Sequence, residues 1–103
     1  MQRVLIRSAA IALVTGAALA PHGAAADERR AAILANTCFS CHGTEGRSSG
    51  AMPSIEGKSA SYIADTLKRF RDGDKKSTVM IRIAKGFTDE EIEELAGYFS
   101  GKK

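Results

Sequence analysis

The 103-residue sequence is poor in the residues that build several common kinds of small protein. It holds only two cysteines, Cys38 and Cys41, and two histidines, His22 and His42, so a four-ligand structural zinc site has few possible donors. The formal net charge is only +3 and aromatic residues make up 6% of the chain, so a nucleic-acid-binding surface is not indicated. Internal repeats, heptad runs and β-strand patterns are also missing. These absences favour one all-α domain.

The N-terminal residues have the order of charged and apolar residues that is typical of an export signal. Arg3 and Arg7 supply positive charge, and residues 8–20 form an apolar run that is too short to span a bilayer. A proline-containing break follows, and three alanines at residues 24–26 match a small-residue cleavage site. We predict a cleaved signal over residues 1–26, no membrane anchor afterwards, and export to the bacterial periplasm. An uncleaved anchor is the alternative.

Both cysteines fall within one five-residue stretch, Cys38-Phe39-Ser40-Cys41-His42. A Cys-x-x-Cys-His sequence is typical of covalent haem attachment. Each thiol can add to one vinyl group of the porphyrin, while the adjacent imidazole can bind the iron. The motif therefore predicts Cys38 and Cys41 as thioether links to one haem c, and His42 as the proximal axial iron ligand.

Three other interpretations fit parts of this motif. A zinc site would lack an obvious fourth ligand, because His22 lies in the segment that we expect to be removed. A thioredoxin-like redox pair normally opens a helix in a longer βαβ domain, and no strand pattern is present. A structural disulfide between Cys38 and Cys41 is the simplest alternative. If both cysteines hold haem, no disulfide stabilises the domain of residues 27–103, and the haem must supply much of its core.

Helical patterns lie on both sides of the motif. Asp27 can cap a first helix that leads into the motif near residues 36–37, and a glycine-rich loop, residues 43–57, follows the motif. Ser59 or Ser61 can cap a second helix that reaches residue 70 or 71.

The last helix has the clearest pattern. Thr88 and Glu91 predict a capping box at its start, and residues 92–99 carry an apolar stripe of Ile92, Leu95, Ala96 and Phe99. The apolar segment before it, residues 77–86, could be a loop or a short helix. We predict three or four helices in total.

The charges are unevenly spread along the chain. Residues 58–85 carry eight basic and three acidic residues, whereas residues 89–94 carry five acidic residues. The basic stretch could steer an acidic partner protein, or Lys68, Arg69 and Arg71 could simply be the solvated face of a helix.

A haem iron bound by His42 has an opposite face to fill, and two methionines follow the predicted signal. Met52 lies ten residues after His42, in the loop expected under the proximal side, and is interpreted as a core-filling residue. Met80 lies 38 residues after His42, beyond a whole helix that can cross to the distal side. Met80 is therefore predicted as the distal axial iron ligand, a ligand that raises the reduction potential.

The proximal imidazole also needs a partner for its second ring nitrogen. Pro53 offers a backbone carbonyl at a suitable loop distance from His42, and it could also simply rigidify the turn.

Residues 38–57 and the segment around Met80 resemble the small class I bacterial cytochromes c, and in particular the cytochrome subunit of flavocytochrome c sulfide dehydrogenase. The resemblance covers essentially all of residues 27–103. It implies a class I cytochrome c fold wrapped around one haem, with the carbonyl of Pro53 orienting His42 and Met80 as axial ligand. Many members of this group carry two such domains, and this chain holds one.

The resemblance implies a periplasmic one-electron carrier, without catalysis by the chain alone. In one version it is the haem subunit that accepts electrons from a sulfide-oxidising flavoprotein, with Ala51, Met52 and Ile55 as candidate apolar docking residues. In another it is a free carrier between a dehydrogenase or membrane complex and a terminal oxidase. A haem gas sensor or haem enzyme with an open sixth site is a third class, for which Arg82 or Lys85 would be weak distal polar groups.

Overall fold

Four α-helices and one short 3-10 turn make up the computed structural model, which describes residue 16 and residues 23–101. The elements are α1, Gly23–His42; a 3-10 turn, Thr44–Gly46; α2, Ala60–Asp72; α3, Met80–Ala84; and α4, Asp89–Ser100. No strand occurs in these described ranges. The prediction of an all-α fold with three or four helices is confirmed.

The core lies where α1 and α2 pack against α4. The predicted apolar stripe of α4 is fully buried: Ile92, Leu95, Ala96 and Phe99. The buried residues that complete this core are mostly small: Ala35 from α1, with Ile63 and Ala64 from α2. Small side chains allow close helix packing, but they leave the core with little apolar volume of its own.

The first helix is longer at both ends than the sequence suggested. It begins at Gly23, so Asp27 lies within it and does not cap it, and it includes alanines 24–26, which are strong helix formers. It also continues past residues 36–37 and ends at His42. Gly43, whose φ is 84°, then takes the chain out of the helix. The whole Cys38–His42 motif is therefore helical.

The second helix begins after one of its two predicted caps and ends at Asp72, one residue beyond the predicted end. The side chain of Ser59 accepts a hydrogen bond from the backbone N–H of Tyr62, which makes Ser59 the N-cap. At the other end Gly73 adopts φ 84°, and its N–H donates to the carbonyl of Phe70. Within residues 77–86, which could have been a loop or a short helix, Met80–Ala84 form the short helix α3, which packs against α2.

The predicted capping box of α4 is present. The backbone N–H of Glu91 donates to the Thr88 hydroxyl at 3.2 Å, and the N–H of Thr88 donates to the Glu91 carboxylate at 3.0 Å. Because this box orders the start of the helix that carries most of the core, we expect Thr88→Ala to lower the free energy of unfolding by about 1 kcal/mol. Guanidinium denaturation of the haem-loaded protein measures this. Thr88→Ser retains the hydroxyl and should cost much less; equal losses in the two variants would contradict the capping role.

Ion pairs join α4 to its neighbours. The nitrogen–oxygen distance is 2.7 Å in Arg30–Glu94, Lys68–Glu93 and Arg71–Asp89, and 3.4 Å in Arg30–Glu91. The hydrogen bond from Arg71 lowers the pKa of Asp89 below its usual range. Surface pairs of this kind add little stability. They do show that Lys68 and Arg71, from the basic stretch, are paired within the chain.

The predicted export signal lies mostly outside the described residues, as does His22. Within residue 16 and residues 23–101, no helix is both long enough and apolar enough to cross a bilayer.

Candidate functional site

The Cys38–His42 motif occupies the last turn of α1. Residues three and four apart lie on the same face of a helix, so Cys38, Cys41 and His42 are presented together. Both cysteines are free thiols, so the structure does not contain the alternative disulfide between Cys38 and Cys41. Cys38 is half-buried and Cys41 is exposed.

The environment of Cys38 disfavours the thiolate form of its side chain. Partial burial raises the pKa of Cys38 above its usual range, and this outweighs the lowering effect of its hydrogen bond with the Thr37 hydroxyl. The neighbouring Cys41 raises the pKa further. A raised pKa is the opposite of what activates a thioredoxin-like nucleophile, and the described residues contain no strand, so the thioredoxin-like interpretation finds no support here.

The His42 imidazole is held in one orientation. His42 is only 7% exposed, and its Nδ1 lies 2.6 Å from the carbonyl oxygen of Pro53. A carbonyl can only accept, so Nδ1 carries the hydrogen and donates it. The other nitrogen, Nε2, then has a free lone pair, as a metal-ligating imidazole requires. The structure thus brings together four of the five predicted site residues: Cys38, Cys41, His42 and Pro53.

The loop that carries Pro53 is folded around Gly46. The carbonyl of Gly46 accepts hydrogen bonds from the N–H groups of Ile55 at 2.9 Å and Glu56 at 3.3 Å. Gly46 is buried and adopts φ 77°, which strongly favours glycine. These bonds return the chain towards His42.

We expect Gly46→Ala to lower the free energy of unfolding by roughly 2–4 kcal/mol, from strain at positive φ together with overpacking. A Cβ at this position would lie 2.8 Å from the Ile55 side chain and 2.9 Å from the Phe99 ring. Gly50→Ala, in the same loop, is the matched control, because its Cβ would meet nothing within 4 Å. Denaturant melts of both haem-loaded variants give the comparison; similar small losses in the two would contradict the close packing at Gly46.

The two methionines lie in different surroundings. Met80 is the first residue of α3, is half-buried, and its N–H donates to the Ser77 hydroxyl at 2.7 Å. Met52 is 42% exposed and lines an open cavity of about 230 Å³ together with Cys41. The interpretation of Met52 as a core-filling residue is therefore wrong, because Met52 lies at the surface beside the motif.

Several large apolar side chains lack protein cover. Met52, Tyr62, Val79 and Ile83 are between 36% and 52% exposed, and all lie in the segments between His42 and α4. A porphyrin presents a large apolar face that such side chains could cover. Together with two free thiols, an oriented imidazole and a thioether, they form a set of groups that suits a covalent haem. Within the described residues no three His, Cys, Asp or Glu side chains converge, so a zinc site finds no support.

Comparison with known proteins gives the family. Residues 25–99 match the family described as cytochrome c oxidase, cbb3-type, subunit III. The chain belongs to the c-type cytochromes. This cytochrome is 49% identical, over 85 residues, to the cytochrome subunit of sulfide dehydrogenase from Chlorobaculum tepidum, covering 82% of this chain and 77% of that protein. It is 37% identical over 71 residues to cytochrome c-554(548) of Halomonas halodenitrificans, covering 65% of this chain and 86% of that protein.

A further relative carries a name that describes its role. The cytochrome is 36% identical over 67 residues to a thiosulfate dehydrogenase electron acceptor of Stutzerimonas stutzeri, covering 61% of this chain and 31% of that protein. These matches confirm the resemblance, the covalently bound haem c and a function in electron transfer with a redox partner. When bound, the haem supplies a one-electron iron couple. The chain holds the imidazole in place and keeps it from water.

Two residues of this region were not singled out by the sequence. Glu45, between two glycines of the loop, accepts a hydrogen bond at 2.7 Å from the hydroxyl of Tyr98 on α4. No local sequence pattern predicts a contact between two residues that are 53 positions apart.

Proposed function

We propose that this cytochrome transfers single electrons in the periplasm through one haem c, held by Cys38 and Cys41 and ligated by His42 and Met80. The observation that carries the proposal is the 2.6 Å contact between His42 Nδ1 and the Pro53 carbonyl, which leaves Nε2 for the iron. The same contact supports Pro53 as the residue that orients the proximal ligand. Replacing Cys38 and Cys41 singly with alanine, followed by acid–acetone extraction, tests the two links: each variant should retain haem through one thioether only.

The electron donor that we propose is a periplasmic flavoprotein that oxidises sulfide. The name and similarity of the Chlorobaculum tepidum relative, a cytochrome subunit of sulfide dehydrogenase, support this. Exposed Ala51 and Met52, next to Cys41, give an apolar surface for such a partner. Ile55 does not belong to this surface, because it packs against the core.

Purification from the native host tests the partner. Affinity capture of the tagged cytochrome should retain a flavin-containing chain in equal amounts, and sulfide should then reduce the haem. A cytochrome that elutes alone, with haem that sulfide leaves oxidised, would refute the flavoprotein assignment while leaving electron transfer intact.

A free soluble carrier is the second candidate, and the match to 86% of the small Halomonas halodenitrificans cytochrome favours it. The exposed cations Arg69, Arg82 and Lys85 would then meet an acidic partner transiently. A free carrier should lose second-order electron-transfer rate steeply with salt, whereas a permanent subunit should not.

We also propose that residues 1–26 are a signal that directs export and is then removed. The charge and apolar pattern described above supports this. N-terminal sequencing of the periplasmic protein should begin at Asp27; a sequence that begins before residue 20 would contradict the cleavage site.

A further inference from the structure

The backbone of Glu45 is held in an unfavourable conformation. Its φ of 60° and ψ of 18° lie in the left-handed region, and among the described residues it is the only one other than glycine with a positive φ. Glycine would adopt a positive φ without this cost, as the nearby Gly43 and Gly46 do. A glutamate that persists here needs a contact that holds it, and such contacts are found near functional sites.

The contact is with the last helix. The hydroxyl of Tyr98 donates to the Glu45 carboxylate at 2.7 Å, in a partly buried position. The Tyr98 ring lies 6.4 Å from the ring of Phe39, between the two cysteines, and 5.2 Å from that of Phe99 in the core. Tyr98 therefore joins α4 to both the haem-attachment turn and the loop that follows it.

The hydrogen bond between Tyr98 and Glu45 is connected to His42 through the loop. Glu45 precedes Gly46, whose carbonyl receives the N–H groups of Ile55 and Glu56. Pro53 lies two residues before Ile55, and its carbonyl accepts from His42 Nδ1. Fixing the turn at Glu45 thus fixes the segment that carries this carbonyl.

We propose that Glu45 and Tyr98 are positioning residues that set the strength of the His42–Pro53 hydrogen bond and thereby the reduction potential of the haem. The inference rests on the proposed role of His42 as axial ligand. Donation from Nδ1 to a carbonyl makes the imidazole more basic, and a more basic ligand stabilises the oxidised iron. Loosening the loop should weaken this bond and favour the reduced iron.

Tyr98→Phe in the haem-loaded protein is the direct test, because it removes the hydroxyl and keeps the ring. At a fixed solution potential we expect the ratio of reduced to oxidised haem to rise about three- to tenfold, which is about 30–60 mV for a one-electron couple. Amide hydrogen exchange of Ile55 and Glu56 should accelerate at least about tenfold in the reduced protein.

Two further variants separate positioning from stability. Glu45→Gly removes both the carboxylate and the backbone strain, so it should shift the potential as Tyr98→Phe does without a matching loss of stability. Ser100→Ala is the control on the same helix, since its hydroxyl bonds only to the Gly97 carbonyl at 3.1 Å, and it should change neither readout.

The failure of the inference and of the proposed function are distinguishable. A Tyr98→Phe protein that is destabilised but keeps its potential and its exchange rates at Ile55 and Glu56 would overturn the positioning role alone. A wild-type protein whose spectrum shows no histidine-ligated haem would overturn the proposed function, and this inference with it.

Discussion

Replacing Met80 with alanine should lower the reduction potential of the haem by about 0.1–0.3 V, part of the range of roughly 0.8 V that axial ligands cover. A thioether ligand favours the reduced iron, and its removal leaves water or no ligand in its place. The weak absorption band of ferric iron bound to methionine should vanish, and the reduced variant should bind carbon monoxide rapidly. Redox titration and optical spectroscopy measure all three changes.

Met52→Ala is the matched control for this experiment. Met52 is the other methionine near the motif, but it lies exposed in the loop after His42 and not on α3. Its replacement should keep the absorption band and nearly all of the potential. A methionine band that survives Met80→Ala and is lost in Met52→Ala would reverse the assignment. Rapid carbon monoxide binding by the wild-type protein would instead favour a sensor or enzyme with an open sixth site.

Preventing haem attachment should abolish the cooperative fold. Nine apolar side chains are buried within residues 23–101, and five of them are alanines: Ala31, Ala35, Ala64, Ala84 and Ala96. Each buries little apolar surface, while larger residues such as Val79 and Tyr62 stay half exposed. Without the porphyrin to cover these residues, so small a core cannot offset the chain entropy lost on folding.

The test uses a Cys38→Ser, Cys41→Ser double variant produced without haem. We expect circular dichroism to show most of the helical signal lost and no cooperative thermal transition. Binding of free haem to this variant should restore part of the helix, because His42 and Met80 remain. A sharp native-like melt in the haem-free double variant would refute the dependence on haem.

Local patterns in the sequence predicted the starts of α2 and α4. Ser59 and Thr88 cap α2 and α4 as expected, because a hydroxyl that accepts from an N–H three residues later is a local interaction. The prediction for the start of α1 was wrong: its expected cap, Asp27, lies inside the helix, because alanines 24–26 favour helix strongly. The buried stripe of α4 followed from its periodicity alone.

The parts of the site whose functional groups lie close together in the sequence were predictable. Cys38, Cys41 and His42 are such a group, and Pro53 lies at a short loop distance from His42. The surface position of Met52 and the contact between Glu45 and Tyr98 were not predictable, because both depend on how the loop folds back onto α4. Sequence separation of this size leaves no periodic signal.

The continuation of α1 to His42 has an electrostatic consequence. Peptide dipoles along a helix sum to about half a negative charge at its carbonyl end, and in this protein that end coincides with His42, the proposed proximal ligand. A partial negative charge there favours the ferric iron, which is the more cationic of the two states. The proposed thioether ligand, Met80, would favour the ferrous iron. We expect the working potential to reflect this opposition, so a change in the final turn of α1 would tune it without touching either ligand.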